Sequence, residues 1–133
     1  MANPNIVSVT SIKAGNAGWN LSSTLTATLL TVDADKILKI NSIICSNVDG
    51  TNSATLNLYV DGMATSHNEG VTSTGADATV YIAKTMAVPA DASLVLIDKN
   101  SSIYLMEGDV LKGGASAASD LDLFVSYEII DDA

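Results

Sequence analysis

The chain has 133 residues, which suits one domain with a sizeable core. Its formal net charge is −9, from six basic and fifteen acidic residues, and this sign disfavours binding to nucleic acid or to anionic membranes. Aromatic residues make up only 5% of a chain that is 47% hydrophobic, so the core must be built from Val, Ile, Leu and Ala.

The N-terminal third contains two predicted strands and a turn. We expect a first edge strand near Ile6–Ile12, a turn over Ala14–Asn20 and a second strand near Thr24–Val32. The second strand alternates Thr with apolar residues, as a half-buried strand requires. The segment Asp33–Lys36 has the composition of a corner and ends this part of the chain.

The middle of the chain holds the longest strand candidate and the clearest alternation. Ile37–Asn47 carries apolar residues of both parities, which predicts a central strand that is covered on both sides or bulged midway. Ala54–Asp61 alternates, and we expect Leu56, Leu58 and Val60 to face the core. The segment Met63–Asp77 has no such pattern, and a loop of this length is usually functional or mobile.

The remaining pattern again predicts short strands. They are expected over Thr79–Val88, Ser93–Asp98, Ile103–Leu105, Val110–Ala117 and Leu121–Ile130. The last one alternates, which directs Leu123, Val125 and Tyr127 to the core. Short strands with turn signals every 8–12 residues are typical of an antiparallel sandwich or barrel. We therefore predict an all-β fold, a single antiparallel β-sandwich that is jelly-roll-like, over 21–133, with an N-terminal arm and the first edge strand over 1–20.

Residues able to do chemistry are sparse. His67 is the single histidine, and one His without a partner supports neither a zinc site nor a catalytic dyad. The pairs Asp33/Asp35 and Asp120/Asp122 lack the Gly-punctuated loop of a calcium site, so corner positions are favoured. Acid–base hydrolysis by two carboxylates that meet in the fold stays open at this point. We predict no enzyme activity, no metal and no cofactor.

Two further features favour structural roles. Cys45 lies in a strand-like run and is expected to be a small buried apolar residue. Gly113-Gly114 lacks the Gly-Lys-Ser/Thr ending of a phosphate loop, and we predict a bulge or a close approach between strands there.

Several short motifs resemble those of small virion proteins of tailed bacteriophages. They are the run Thr31–Asn47, the strand Leu56–Gly62 that ends in Asp-Gly, the corner Val88–Leu96, the step Leu105–Leu111 and the ending Tyr127–Ile129. At the first corner, the motif of these virion proteins contains a proline and a glycine. The corresponding residues 32–36, Val-Asp-Ala-Asp-Lys, include neither, which leaves the type of that turn open.

The resemblance implies a head decoration (cement) protein that binds the outer surface of the phage head and stabilises the shell. It further implies the major capsid protein as partner, assembly as a homo-oligomer (often a trimer), and a place on the capsid surface of the virion after synthesis in the host cytoplasm. Neither nucleic acid nor membrane is expected as a partner. The alternatives are a tail, neck or fibre-base structural protein, or a glycan-binding module.

Two segments are predicted to contact the partner, namely Ala2–Trp19 and the Met63–Asp77 loop. Trp19 is the sole tryptophan and lies between flexible residues, so it is either a lid on the core or an anchor on a partner. The residues predicted to contact the partner are Trp19, Ile6, His67, Asn68 and Glu69.

Overall fold

The computed structural model describes residues 10–63 and 74–131. Within these ranges the chain forms strands joined by turns. A short 3-10 helix, Lys99–Ser101, has its first turn capped by Asp98. The strands are β1 Ser11–Asn20, β2 Thr28–Thr31, β3 Lys36–Asn47, β4 Ala54–Asp61, β5 Val80–Val88, β6 Ser93–Ile97, β7 Ile103–Leu105, β8 Val110–Ala115 and β9 Leu121–Asp131.

The strands form two antiparallel sheets that pack face to face. One sheet has the order β1-β9-β3-β6, with β7 also paired to β3, and the other has the order β2-β8-β4-β5. When β6 and β7 are taken as one interrupted strand, the eight strands follow the order of a jelly roll. The predicted all-β, jelly-roll-like sandwich is confirmed.

The core lies between the two sheets and has the composition that the sequence predicted. The alternation in β4 and β9 directs one side of each strand inward, and Tyr127 is partly buried against the same cluster. The predicted core positions that are buried are Leu56, Leu58, Val60, Leu123 and Val125.

A bulge explains why β3 has apolar residues of both parities. The pairing of β3 with β9 shifts register between Ile40 and Ser42. Before the shift, Leu38 and Ile40 belong to the buried core, and after it Ile43 and Cys45 take their place. The extra residue changes which parity faces inward. Of the two predicted alternatives, a strand covered on both sides or one bulged midway, the structure shows the bulge.

The first strand differs from the prediction. We expected a turn over Ala14–Asn20, and this was wrong, because Ser11–Asn20 is one strand that pairs with β9 along its whole length. Residues 1–9 lie outside the described residues, so the predicted strand near Ile6–Ile12 can be compared with the structure only at its end. The second strand, β2, is shorter than predicted and covers Thr28–Thr31.

The glycine pair of β8 allows the backbones of two neighbouring segments to come close to β8. A Cβ at Gly113 would collide with the carbonyl oxygen of Asn57 on β4, and one at Gly114 with that of Thr24. Neither position tolerates a side chain without moving the backbone. The prediction of a close strand approach at Gly113-Gly114 is therefore confirmed.

Candidate partner-binding surface

The outer face of the five-stranded sheet carries a row of apolar side chains that no other part of the sheet covers. Ile44 on β3 pairs in register with Val95 on β6 and with Phe124 on β9. Val95 is 58% exposed and Phe124 46% exposed, while Ile44 is half-buried between them. We call these three residues the apolar row.

The apolar row ends at β1 in a shallow hollow. Gly18 pairs with Phe124 and contributes no side chain, so the ring of Phe124 has open space beside it. The hollow measures about 400 Å³ and is lined by residues of β1, β3 and β9, among them Gly18, Ile44 and Phe124. It is too open to enclose a small molecule.

Polar pairs border the apolar row toward the end of the sandwich where β9 begins. The side-chain amide of Asn20 donates to Oδ1 of Asp122 over 2.6 Å. The hydroxyls of Ser46 and Ser93 are hydrogen-bonded to each other over 2.8 Å. An apolar centre with a polar rim is the usual anatomy of a protein–protein interface.

Trp19 is the single predicted partner-contact residue that the described ranges include. It lies on the inner side of β1, pairs with Leu123, and is partly buried against the core. It also lines the hollow beside Phe124. Its position is that of a lid on the core, with part of its surface facing the hollow. The predictions for Ile6, His67, Asn68 and Glu69 fall on residues outside the described ranges.

The outer face of the four-stranded sheet combines a charged pair with an aromatic pair. Oδ2 of Asp61 accepts from Nζ of Lys112 over 3.2 Å, and Oδ1 accepts from the hydroxyl of Thr79 over 2.9 Å. The Thr79 hydroxyl, followed by Lys112 and the Gly62 N–H, holds the pKa of Asp61 below its ordinary value. The same face carries Tyr81, which is 44% exposed and contacts the ring of Tyr59 with centroids 5.0 Å apart. Nζ of Lys84 lies 5.0 Å from the centroid of the Tyr81 ring, so this aromatic surface is bordered by charge.

In the described ranges, the acidic residues and the cysteine that the sequence offered as candidates for chemistry do not lie together in one site. Over residues 10–63 and 74–131, no three His, Cys, Asp or Glu side chains lie close enough together to hold a metal ion. Asp35 occupies a left-handed turn position at φ 60°, and Asp122 is bound by Asn20. Cys45 is fully buried, and this burial, followed by the nearby charge of Asp122, raises its pKa to about 11.

Sequence patterns indicated two members of the apolar row. Phe124 stands at an outward parity of the alternating strand β9, and an outward Phe is a visible signal. Ile44 lies in the run Ile37–Cys45, whose apolar residues of both parities also indicate apolar surface beyond one core face. Val95 carries no such signal, because its exposure depends on the register between β3 and β6.

No protein family, curated protein or solved structure gives a significant match to this chain. In the part of the chain that the structure describes, no helix has the length and hydropathy that a membrane span requires.

Proposed function

We propose that this chain is a decoration (cement) protein of a tailed-bacteriophage head, which binds the outer surface of the shell and stabilises it. Motif resemblance supports this role, and its clearest motifs occupy β4 and the corner between β5 and β6. Jelly rolls recur in viral capsid proteins, although the same fold also serves lectins and enzymes. The fold is therefore compatible with the proposal but does not carry it.

The apolar row is the observation that carries the proposal. A solvent-exposed Phe and Val on a flat sheet face, with hydrogen-bonded polar pairs beside them, suit contact with another protein. The contact area on one sheet face is small, so each single contact is weak. Many identical copies on a lattice compensate, because an oligomer binds through several such faces at once.

The partner proposed for this surface is the major capsid protein of the head. The net charge of −9 keeps a protein made in many copies soluble before it assembles. We further propose that the chain forms a closed homo-oligomer, for which the resemblance implies a trimer. The N-terminal segment and the Met63–Asp77 loop remain predicted additional contacts with the shell.

Reconstitution on particles that lack this chain tests the proposal. Purified chain is mixed with such particles, free protein is removed, and the bound copies are counted by quantitative mass spectrometry and located by cryo-electron microscopy. We expect hundreds of copies distributed over the head. A handful of copies at the neck or tail would replace this proposal with the tail-component alternative.

A glycan array tests the remaining alternative, the glycan-binding module. Binding of a defined glycan without attachment to heads would favour the glycan-binding module. Absence of both attachment and glycan binding would overturn the proposal and this alternative together.

A further inference from the structure

The strand β1 forms an edge of the five-stranded sheet, and no strand of the described ranges pairs with its outer side. It pairs with β9 over ten residues without a register shift. The Leu21 N–H donates to the Leu121 carbonyl over 2.8 Å in the same register. Because hydrogen-bonding direction alternates along an antiparallel strand, the even-numbered residues of β1 direct their N–H and C=O groups away from β9. Within the described ranges, no backbone group pairs with that side of β1.

The other edges of the sandwich are interrupted, whereas β1 is continuous. β5 shifts register twice against β4 and has Thr85 at a φ of 52°. β2 has four residues and a register shift, and β6 and β7 have five and three residues. Short, bulged edges are a common way to prevent unwanted strand pairing. The edge of β1 is long and regular, and residues 10–63 and 74–131 provide no such protection for it.

The composition of β1 permits close approach by another strand. The five residues over 14–18 read Ala-Gly-Asn-Ala-Gly, so no bulky side chain stands beside the backbone in the middle of the edge. Lys13 is the sole charged residue of β1. Edge strands that avoid pairing usually carry several charges or a proline.

Charge identifies a second copy of this chain as the occupant that the edge fits. The first 32 residues contain no acidic residue, although the whole chain has a net charge of −9. Two identical acidic proteins repel each other, so they associate most readily where acidic side chains are absent. Three acidic residues of β9, Asp122, Glu128 and Asp131, pair in register with β1. Their side chains are bound by Asn20, Asn41 and Lys36 respectively.

We propose that the free edge of β1 pairs antiparallel with β1 of a second copy of this chain, about a two-fold axis at Asn16. The pairing joins the two five-stranded sheets into one continuous sheet. Asn16 then lies opposite Asn16 of the second copy. Ala14 lies opposite Gly18 of the second copy, so small residues face each other there. Lys13 faces Trp19 of the second copy on the inner side, where an ammonium group over an indole ring is favourable.

This inference is independent of head attachment, but it competes with the trimer that the resemblance implies. A two-fold contact is isologous and produces a dimer, whereas a trimer uses heterologous contacts that keep identical residues apart. Head attachment and edge pairing also use different surfaces, the apolar row and the outer side of β1. Failure of either can therefore be recognised without the other.

A disulfide at the two-fold axis tests the pairing directly. Opposite residues in antiparallel strands have Cα atoms about 4.5–5.5 Å apart, which lies within the roughly 4.4–6.8 Å range of disulfides. The full chain with Asn16→Cys, treated with oxidised glutathione, should run at twice the 13.7 kDa chain mass on a non-reducing gel. The native Cys45 is buried and does not interfere.

Ile12→Cys is the matched control, since Ile12 is exposed on the same strand. The proposed register separates its two copies by eight residues, or roughly 27 Å, so no cross-link should form. Cross-linking of Ile12→Cys to the same extent as Asn16→Cys, or none with Asn16→Cys, would overturn the pairing.

A charge substitution gives a second, reversible measurement. Light scattering of the unmodified chain should show a dimer at micromolar concentrations. Asn16→Lys places two lysines face to face, and such like-charge contacts should raise the dimer dissociation constant roughly tenfold or more. The melting temperature at a concentration where both proteins are monomeric should stay the same. A monomeric or trimeric unmodified chain, or an undiminished dimer with Asn16→Lys, contradicts the inference.

Discussion

The ring of Tyr127 lies directly over Gly15 of the neighbouring strand. A Cβ built on Gly15 would come within 2.5 Å of Cε1 and 2.9 Å of Cζ of that ring. The two residues are register partners between β1 and β9, on the side of the sheet that faces the core. Gly15 therefore provides the space that a bulky core side chain occupies, and it does not mark a turn.

Gly15→Ala should destabilise the protein because the added methyl group collides with the Tyr127 ring. Overpacking of this kind costs roughly 1–3 kcal/mol, measured as a loss in the free energy of unfolding in urea. Gly18→Ala is the control, since its Cβ would meet ordinary contacts at 3.6 Å and 3.9 Å, and its cost should stay within about 0.5 kcal/mol. Equal effects at the two positions would show that the Tyr127 ring moves aside freely.

Leu58→Ala should be among the most destabilising single changes in β4. Leu58 has no exposed surface and lies in the core between the sheets. Truncation of such a side chain costs roughly 2–5 kcal/mol through lost burial and the cavity left behind. Val95→Ala removes an exposed side chain and should change the free energy of unfolding by about 0.5 kcal/mol or less. A small loss for Leu58→Ala would mean that β4 faces the other way.

Cys45 should be inert toward thiol reagents in the native protein. Its burial, followed by the charge of Asp122, raises the pKa of the thiol to about 11, so the reactive thiolate is a minor species at pH 8. Reaction with a colorimetric disulfide reagent at pH 8 should be slow and should become fast and stoichiometric in 6 M guanidinium. Fast labelling without denaturant would contradict the buried position.

Asp61 should titrate below the ordinary Asp value of 3.8, mainly because the Thr79 hydroxyl donates to its carboxylate. Its pKa is lower in the folded than in the unfolded state, so its contribution to stability is present above the unfolded pKa. That contribution is lost as the pH falls through the folded pKa. In an NMR titration, Thr79→Val should move the pKa of Asp61 up toward 3.8.

Asp49 serves as the internal control in the same titration. Its pKa is also lowered, but by the Thr51 N–H and the Asn52 side chain. Thr79→Val should leave the midpoint of Asp49 unchanged. A shift of both midpoints, or of neither, would show that the Thr79 hydrogen bond does not set the pKa of Asp61.

Phe124→Ser should weaken attachment to phage heads without unfolding the protein. The side chain is 46% exposed at the β1 end of the apolar row, so its loss should cost about 1 kcal/mol and leave the protein folded. Tyr104→Ser is the matched control, because Tyr104 is an equally exposed aromatic residue on β7, outside the apolar row. Quantification of bound copies should show fewer for Phe124→Ser and an unchanged number for Tyr104→Ser.

Sequence patterns predicted the fold class and much of the core because alternation is a local property. In β4 and β9, successive side chains point to opposite faces, so the positions of Leu56 and Leu123 could be assigned without knowledge of their neighbours. In β3 the apolar residues of both parities left a bulge and cover on both sides as alternatives, and the register against β9 decided for the bulge. The boundaries of β3 and β4 followed from the turn residues that flank them.

Only the tertiary structure decided the first strand and the candidate surface. The glycine-containing segment Ala14–Asn20 was predicted as a turn. The reason for a glycine at position 15 is the ring of Tyr127, which lies near the other end of the chain and is not visible in the local sequence. The apolar row combines Val95, Ile44 and Phe124 from three strands, and its existence depends on cross-strand register. Sequence alone determined which side chains a strand can bury. Which of the outward-facing side chains lie together on the surface was determined by strand pairing, because the register brings residues that are distant in the chain side by side.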